Sequence, residues 1–308
     1  ITLTILVISF LWYNLIVTSS IAADELQKCK SLDVYNDISC MDTISYSDGT
    51  KYTGEFKYGV INGQGTLLYP DGTKYTGQWK NSLPNGQGTR TYANGKKYIG
   101  QWKDALPSGK GSMKNEDGSI YVGLWKQGLP NGQGTITYQV GKKYTGSFLD
   151  NQYSGQGTLI YPDGTKYVGA FLGNEFYGQG TLIYPDGTKY VGNFSNNQFS
   201  GQGTLVYPDG TKYTGAFIGG QKKGFGTLTY SDGTKYTGAF IEGQKQGFGT
   251  IIYSNGTKYV GEWKDSEFSG RGTFVYLDGS IYVGDWRNSE HNGQGIFKNK
   301  NGKKIKGF

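Results

Sequence analysis

Histidine, cysteine and proline are scarce in this 308-residue chain, which holds one, two and seven of them. The lone histidine, His291, and the two cysteines, Cys29 and Cys40, are too few to build a His-based catalytic triad or a zinc cluster. Apolar residues supply only 35% of the sequence, which is too little for a large globular core. We therefore expect no catalytic residues, no metal site and no cofactor.

Glycine and tyrosine are abundant, with 52 and 26 residues. Glycine does not recur at every third position, which excludes collagen. Aromatic residues reach 15% and the net charge is only +7, which argues against a disordered chain. This composition is typical of many short strands joined by tight turns.

Tyrosine recurs every 23 residues from Tyr52 to Tyr282, and the spacing never changes. Each tyrosine is followed two residues later by glycine and four residues later by tryptophan or phenylalanine, as in Tyr75, Gly77 and Trp79. A Gly-x-Gly segment and a glycine turn complete each of eleven units. This pattern resembles the MORN (membrane occupation and recognition nexus) repeat family, and the resemblance implies one β-hairpin per repeat.

The residues predict the same fold without the resemblance. Side chains of a strand alternate between its two faces, so Tyr75, Gly77 and Trp79 should share one face, and Lys74 and Thr76 the other. We predict an all-β protein: an elongated, single-layer, twisted antiparallel β-meander of tandem 23-residue β-hairpin repeats. The array should occupy residues 46–308, with eleven full units and partial units at both ends.

The segment before the array carries two further predictions. Residues 1–23 are mostly apolar and end in small residues, which indicates either a cleaved signal peptide or an anchor through residues 1–21. Residues 24–45 should form an N-terminal cap in which Cys29 and Cys40 form a disulfide. We accordingly expect a secreted, periplasmic or cell-surface protein.

Two rows of residues are candidates for ligand binding. Lysine precedes the repeat tyrosine in most units, including Lys51, Lys74, Lys97 and Lys143, and such a row could meet an anionic surface. The turn aspartates suggest an alternative in which the lysines serve solubility and cross-strand charge pairing. The second row contains Trp79, Trp102 and Trp125, and we expect this row and the tyrosine row to be exposed and to give stacking platforms for a glycan.

Three classes of function follow from these features. The favoured hypothesis is a non-catalytic scaffold that presents an extended protein-interaction surface outside the cytosol, with self-association as a further use of that surface. The alternative is a binding module for anionic membrane lipid or a cell-surface glycan, and nucleic acid is not an expected partner. An enzyme is the least favoured class. MORN repeats accompany lipid-kinase domains in some plant enzymes, but here no residues are left for such a domain.

Overall fold

The computed structural model describes residues 28–29 and 39–306, so the predicted signal peptide or anchor lies outside the described residues. The described residues form 24 β-strands and no helix. The strands are β1 Cys40–Ser45, β2 Lys51–Lys57, β3 Val60–Leu68, β4 Lys74–Lys80, β5 Leu83–Thr91, β6 Lys97–Lys103, β7 Leu106–Lys114, β8 Ile120–Lys126, β9 Leu129–Thr137, β10 Lys143–Leu149, β11 Gln152–Ile160, β12 Lys166–Leu172, β13 Glu175–Ile183, β14 Lys189–Ser195, β15 Gln198–Val206, β16 Lys212–Ile218, β17 Gln221–Thr229, β18 Lys235–Ile241, β19 Gln244–Ile252, β20 Lys258–Lys264, β21 Glu267–Val275, β22 Ile281–Arg287, β23 Glu290–Lys298 and β24 Lys304–Lys306.

Each strand pairs antiparallel with the strand that follows it, from β1 with β2 to β23 with β24. The result is one open sheet in which eleven hairpins of a seven-residue and a nine-residue strand repeat every 23 residues. The predicted single-layer β-meander is therefore confirmed.

The two faces of the sheet differ in burial as predicted. In β4 the side chains alternate strictly, with Tyr75, Gly77 and Trp79 buried and Lys74 and Thr76 exposed. We call the side that carries the tyrosines and tryptophans the aromatic face and the opposite side the outer face.

Aromatic rings interlock along the whole sheet. The ring of Tyr75 makes edge-to-face contacts with Trp79 of its own strand, at 5.0 Å, and with Trp102 of the next hairpin, at 5.1 Å. The same pair of contacts recurs at Tyr98, with Trp102 and Trp125. Edge-to-face packing is the arrangement that aromatic quadrupoles favour. A core one side chain thick thus runs through the array and joins each repeat to its neighbours.

Two kinds of turn close the strands. Within a hairpin, a two-residue loop such as Asn81-Ser82 has positive φ at both positions, +50° and +62°, which matches the twist of the flanking strands in a type I′ turn. Between hairpins, a loop such as Pro70-Asp71-Gly72 ends in a glycine with a φ of +86°. Here the Thr73 amide and hydroxyl donate to the two carboxylate oxygens of Asp71, at 2.7 and 2.9 Å. We refer to these loops as the Asp turns.

The N-terminal edge of the sheet is joined to the segment before it. Cys29 and Cys40 form a disulfide, and Cys40 is the first residue of β1. The Cys29 amide donates to the Met41 carbonyl at 3.3 Å, and Lys28 pairs with Met41 in a parallel bridge. Residues 28–29 therefore cover part of the open edge of β1, which would otherwise present unpaired backbone groups.

Candidate binding surfaces

The outer face carries the predicted lysine row. Lys51, Lys74, Lys97 and Lys143 are the first residues of β2, β4, β6 and β10, and all four are exposed. Successive hairpins are two strands apart, so neighbouring lysines of this row lie about 9–10 Å from one another.

A second lysine row, which was not predicted from the sequence, ends the same strands. Lys80, Lys103 and Lys126 are the last residues of β4, β6 and β8 and are exposed. A strand of seven residues points its first and last side chains to the same face, so both rows lie on the outer face, about 20 Å apart across the sheet. The sequence signal for this row was the Lys-Tyr-x-Gly-x-Trp-Lys segment, because its second lysine is the last residue of the strand before the type I′ turn.

The expectation that turn aspartates pair with the lysines is wrong. Asp71 and its equivalents accept hydrogen bonds from the following Thr or Ser. In the first such turn, the bonds from Thr50 lower the pKa of Asp48. Lys74, Lys80, Lys97 and Lys103 make no ion pair within the part of the chain that the structure describes. Strands β4 to β10 contain no aspartate or glutamate at all.

A groove of about 770 Å³ lies on this part of the outer face. Lys80 and Lys103 line it, together with the amide side chains of Gln78, Gln87 and Gln101. The Gln78 side-chain oxygen accepts the Gln87 backbone amide at 2.7 Å, and Gln101 accepts the Lys110 amide at 2.8 Å. These hydrogen bonds fix the side-chain oxygens of Gln78 and Gln101. The side-chain NH₂ group of each remains available as a donor in the groove.

The outer face becomes apolar farther along the array. At the positions of the second lysine row, the middle hairpins have exposed leucine and isoleucine instead, at Leu149, Leu172, Ile218 and Ile241. Phe225 and Phe248 project from the same face and are 68% and 65% exposed. Among the later seven-residue strands, lysine returns at both ends only in β20, at Lys258 and Lys264, where Glu262 lies between them. Within the described residues, a seven-residue strand with lysine at both ends and no acidic residue is therefore found only in the first hairpins.

The expectation that the tryptophan row and the tyrosine row are exposed and give stacking platforms is wrong, because both rows are buried. Trp79, Trp102 and Trp125 are only 4%, 3% and 6% exposed. Their rings are packed between tyrosines, and the indole nitrogens of Trp79 and Trp102 donate to the carbonyls of Gly65 and Gly88. No ligand can lie against such a ring without unfolding the hairpin.

The aromatic face is covered by a row of residues that was not recognised from the sequence. In every hairpin, one residue of the second strand pairs with the tryptophan or phenylalanine of the first. We call this the cover row. It consists of Ile61, Pro84, Pro107, Pro130, Tyr153, Phe176, Phe199, Lys222, Lys245, Phe268 and His291.

Aromatic members of the cover row stack on the repeat tyrosine. Phe176 lies parallel to Tyr167 with ring centroids 3.8 Å apart, and Phe199 does the same on Tyr190. His291 stacks on Tyr282 at 3.7 Å and its Nε2 lies 3.1 Å from the Tyr276 hydroxyl. Burial lowers the pKa of His291. His291 belongs to β23.

The accessible rings belong instead to tyrosines that begin the loops between hairpins. Tyr69, Tyr92, Tyr138, Tyr207 and Tyr230 are half-buried on the aromatic face. Several are accompanied by a cation: Arg90 lies 4.8 Å from the Tyr92 centroid and Lys142 lies 5.5 Å from that of Tyr138. These distances are typical of cation–π pairs.

Among the residues described, no group of three or more His, Cys, Asp or Glu side chains is placed to hold a metal ion. The same residues include no helix of the length and apolarity needed to cross a bilayer.

The comparison with solved structures gives matches of low identity and low TM-score. One is the TCP domain of Drosophila melanogaster SAS-4 (dCPAP) in complex with a proline-rich motif of Ana2 (dSTIL). It is 19% identical over 49% of this chain and 83% of that chain, with a TM-score of 0.33. Another is the TCP10 domain of Danio rerio CPAP with a STIL peptide, 14% identical over 86% of this chain and 97% of that chain, with a TM-score of 0.30. A search of curated proteins found no match.

The comparison with family models gives a direct result. The family model described as MORN repeat matches eleven consecutive segments, at residues 52–74, 75–97, 98–120, 121–143, 144–166, 167–189, 190–212, 213–235, 236–258, 259–281 and 282–304. These segments carry the tyrosine, the glycine pairs and the aromatic core described above. The chain therefore belongs to the MORN repeat family.

Proposed function

We propose that this chain is a non-catalytic scaffold that acts outside the cytosol and binds an acidic segment of a protein partner on its outer face. One observation carries the proposal. Strands β4 and β6 place lysines at both margins of the outer face, and strands β4 to β10 contain no acidic residue. The one carboxylate that lines the groove, Asp104 in the turn after β6, accepts a hydrogen bond from the Asn85 side chain. A surface of this kind attracts anionic partners and accelerates their association.

The rigidity of the sheet supports a role in binding. Both turn types are fixed by backbone and side-chain hydrogen bonds, and successive hairpins are linked, as where the Ser82 amide donates to the Ile61 carbonyl at 2.8 Å. The lysine rows are thus held at constant spacing before any partner arrives. Preorganisation of this kind reduces the entropy that binding would otherwise cost.

The groove favours a protein segment over a lipid surface. Its lysines would bind carboxylates, while the amide groups of Gln78 and Gln101 would donate to backbone carbonyls of an extended segment. Lipid headgroups would use the charge alone. Anionic lipid, a glycan and a second copy of the chain are the competing partners that the experiment must separate.

The disulfide supports a location outside the cytosol. Structural disulfides such as Cys29–Cys40 persist in oxidising compartments and are rare in the cytosol. The apolar residues 1–23 favour export for the same reason, whether they are cleaved or retained as an anchor.

The test compares two sets of four lysines. In the first variant Lys74, Lys80, Lys97 and Lys103 become Gln, which neutralises both margins. In the matched control Lys166, Lys189, Lys212 and Lys235 become Gln, which removes the same charge from one margin of the middle hairpins. We expect the first variant to lose binding of a fluorescent polyglutamate peptide and the control to retain most of it.

Binding should also weaken as salt increases, because exposed charges are screened within about 10 Å at 0.1 M ionic strength. Vesicles containing phosphatidylserine and a uronic-acid polysaccharide serve as competing probes, and sedimentation measures self-association. Equal loss of peptide binding in both variants, or stronger binding of the vesicles than of the peptide, would contradict the proposal.

A further inference from the structure

In two consecutive hairpins the residue of the cover row is a lysine. Lys222 and Lys245 stand where the preceding hairpins have Phe176 and Phe199. The Lys222 ammonium lies 5.2 Å from the Tyr207 ring centroid and 5.3 Å from that of Tyr213. The two lysines occupy the aromatic face, so they are separate from the outer lysine rows.

The second of these ammonium groups is enclosed by three rings. Lys245 lies 5.2 Å from the centroid of Tyr230, 5.4 Å from that of Tyr236 and 5.1 Å from that of Trp263. Both lysine side chains are half-buried. The rings fix the position of each charge.

Neither ammonium is neutralised by an acidic group among the residues that the structure describes. Lys222 and Lys245 make no ion pair and donate no side-chain hydrogen bond to any residue that the structure describes. Aspartates of the adjacent Asp turns are already engaged, as Asp209 accepts from Thr211 and Asp232 from Thr234. A partly desolvated cation without an acidic partner is suited to an anionic ligand.

We propose that Lys222 and Lys245 form a binding site for an acidic oligosaccharide, with one sugar carboxylate on each ammonium. The half-buried rings of Tyr207 and Tyr230 lie beside the two charges and provide flat apolar surfaces against which sugar rings pack. The site is distinct from the outer-face surface assigned above and does not depend on it.

The spacing of the site separates a sugar chain from a peptide. The two lysines are one hairpin apart, which is two strands or about 9–10 Å. An extended peptide presents side chains to one side about every 7 Å, so its carboxylates would reach both ammonium groups only through the flexibility of their own side chains. A polysaccharide of alternating acidic and neutral sugars bears its carboxylates on every second ring, with a neutral ring between them to span the gap. Lipid headgroups lack the flat ring that the tyrosines favour.

The array supplies the variants that test the site. Lys222→Phe with Lys245→Phe installs the residue that Phe176 and Phe199 show to fit at this position, so the hairpins should fold as their neighbours do. Lys222→Met with Lys245→Met removes the charge while keeping an unbranched side chain. The control is Lys166→Gln with Lys189→Gln, which removes two exposed charges from the outer face.

The probe is a hyaluronan oligosaccharide, and its neutral counterpart is a chitin oligosaccharide. Calorimetry measures affinity, and tryptophan fluorescence reports the environment of Trp263 beside Lys245. We expect the wild-type chain to bind hyaluronan and not chitin, and both double variants to lose at least about tenfold in affinity while the control is unchanged.

The proposal would be overturned if the wild-type chain did not bind hyaluronan, or if the Phe and Met double variants bound it as tightly as the wild type does. Tighter binding of polyglutamate than of hyaluronan at this site would also overturn it. The outer-face variant at Lys74, Lys80, Lys97 and Lys103 should bind hyaluronan as the wild type does. Failure of the oligosaccharide site and failure of the outer-face surface are thus distinguishable.

Discussion

The ring of Tyr75 lies on Gly88, in the second strand of the same hairpin. A methyl group built on the Gly88 α-carbon would come within 2.6 Å of the tyrosine Cζ and 2.7 Å of its Cε2, closer than any real contact. The hydroxyl of Tyr75 passes over this glycine to donate to the Gln78 carbonyl at 3.0 Å. Gly88 pairs with Gly77 of β4 and with Gly100 of β6. Each of these strands thus has a glycine at this level of the sheet, and the missing side chains leave room for the ring.

Gly88→Ala should destabilise the array although it adds only one carbon. The added methyl would displace the Tyr75 ring and break its bond to Gln78, and overpacking of this kind costs about 1–3 kcal/mol. Denaturant unfolding measures the loss. Gln87→Ala, on the exposed face of the same strand, is the control and should have little effect. Equal destabilisation by the two changes would refute the role of the glycine.

Trp102→Leu should reduce stability and Trp102→Phe should be tolerated. The indole is buried and its nitrogen donates to the Gly88 carbonyl at 3.1 Å, so leucine leaves a cavity worth roughly 2–3 kcal/mol. Phenylalanine fills the equivalent position at Phe148 and Phe171, which predicts a smaller cost, below about 1.5 kcal/mol. Thermal melts compare the three proteins. Wild-type stability in Trp102→Leu would show that the ring is not part of the core.

The array should unfold in base as its buried tyrosines ionise. Burial raises the pKa of Tyr75 and of Tyr167 to about 12, from a usual value of 10.0. A raised pKa in the folded state means that this stability is intact below pH 10 and is lost as the pH rises toward about 12. The tyrosinate absorbance contributed by the buried tyrosines and the far-ultraviolet circular dichroism should change together in one cooperative step. Ionisation of all tyrosines near pH 10 with the sheet intact would contradict the burial.

The C-terminal hairpin should loosen in mild acid. Burial against Tyr282 lowers the pKa of His291 from its usual 6.5, so the neutral imidazole is favoured in the folded state. The stability it contributes is therefore present above about pH 6.5 and is lost as the pH falls through the lower folded-state value. Hydrogen exchange at β22 and β23, compared near pH 7 and near pH 5, measures the effect. His291→Phe, which installs the residue that the preceding hairpin has at Phe268, should remove this pH dependence, and its persistence would assign it to another group.

Periodicity predicted the strands and the two faces, because alternation in a strand is purely local. Tyr75, Gly77 and Trp79 share a face for that reason. The resemblance to the MORN family implied the pairing of one hairpin per repeat. The cover row was not predictable in the same way. In several hairpins, Trp79 with Pro84 among them, the register shifts between the glycine and the tryptophan. The residue that meets the tryptophan is therefore set by the bulge and the type I′ turn together. The burial of the tryptophans likewise depends on the neighbouring hairpin, since Tyr75 contacts Trp102 as well as Trp79.

The invariant length of the hairpins has a consequence for the evolution of the protein. Because every unit adds two strands in the same register, duplication or loss of one unit changes the distance between two surfaces by a fixed step of about 9–10 Å and leaves each surface unchanged. The number of intervening repeats thus sets the distance between the lysines of β4 to β10 and the pair Lys222 and Lys245. Duplication or deletion of whole repeats in the gene can therefore change the distance between two bound ligands without altering either binding site.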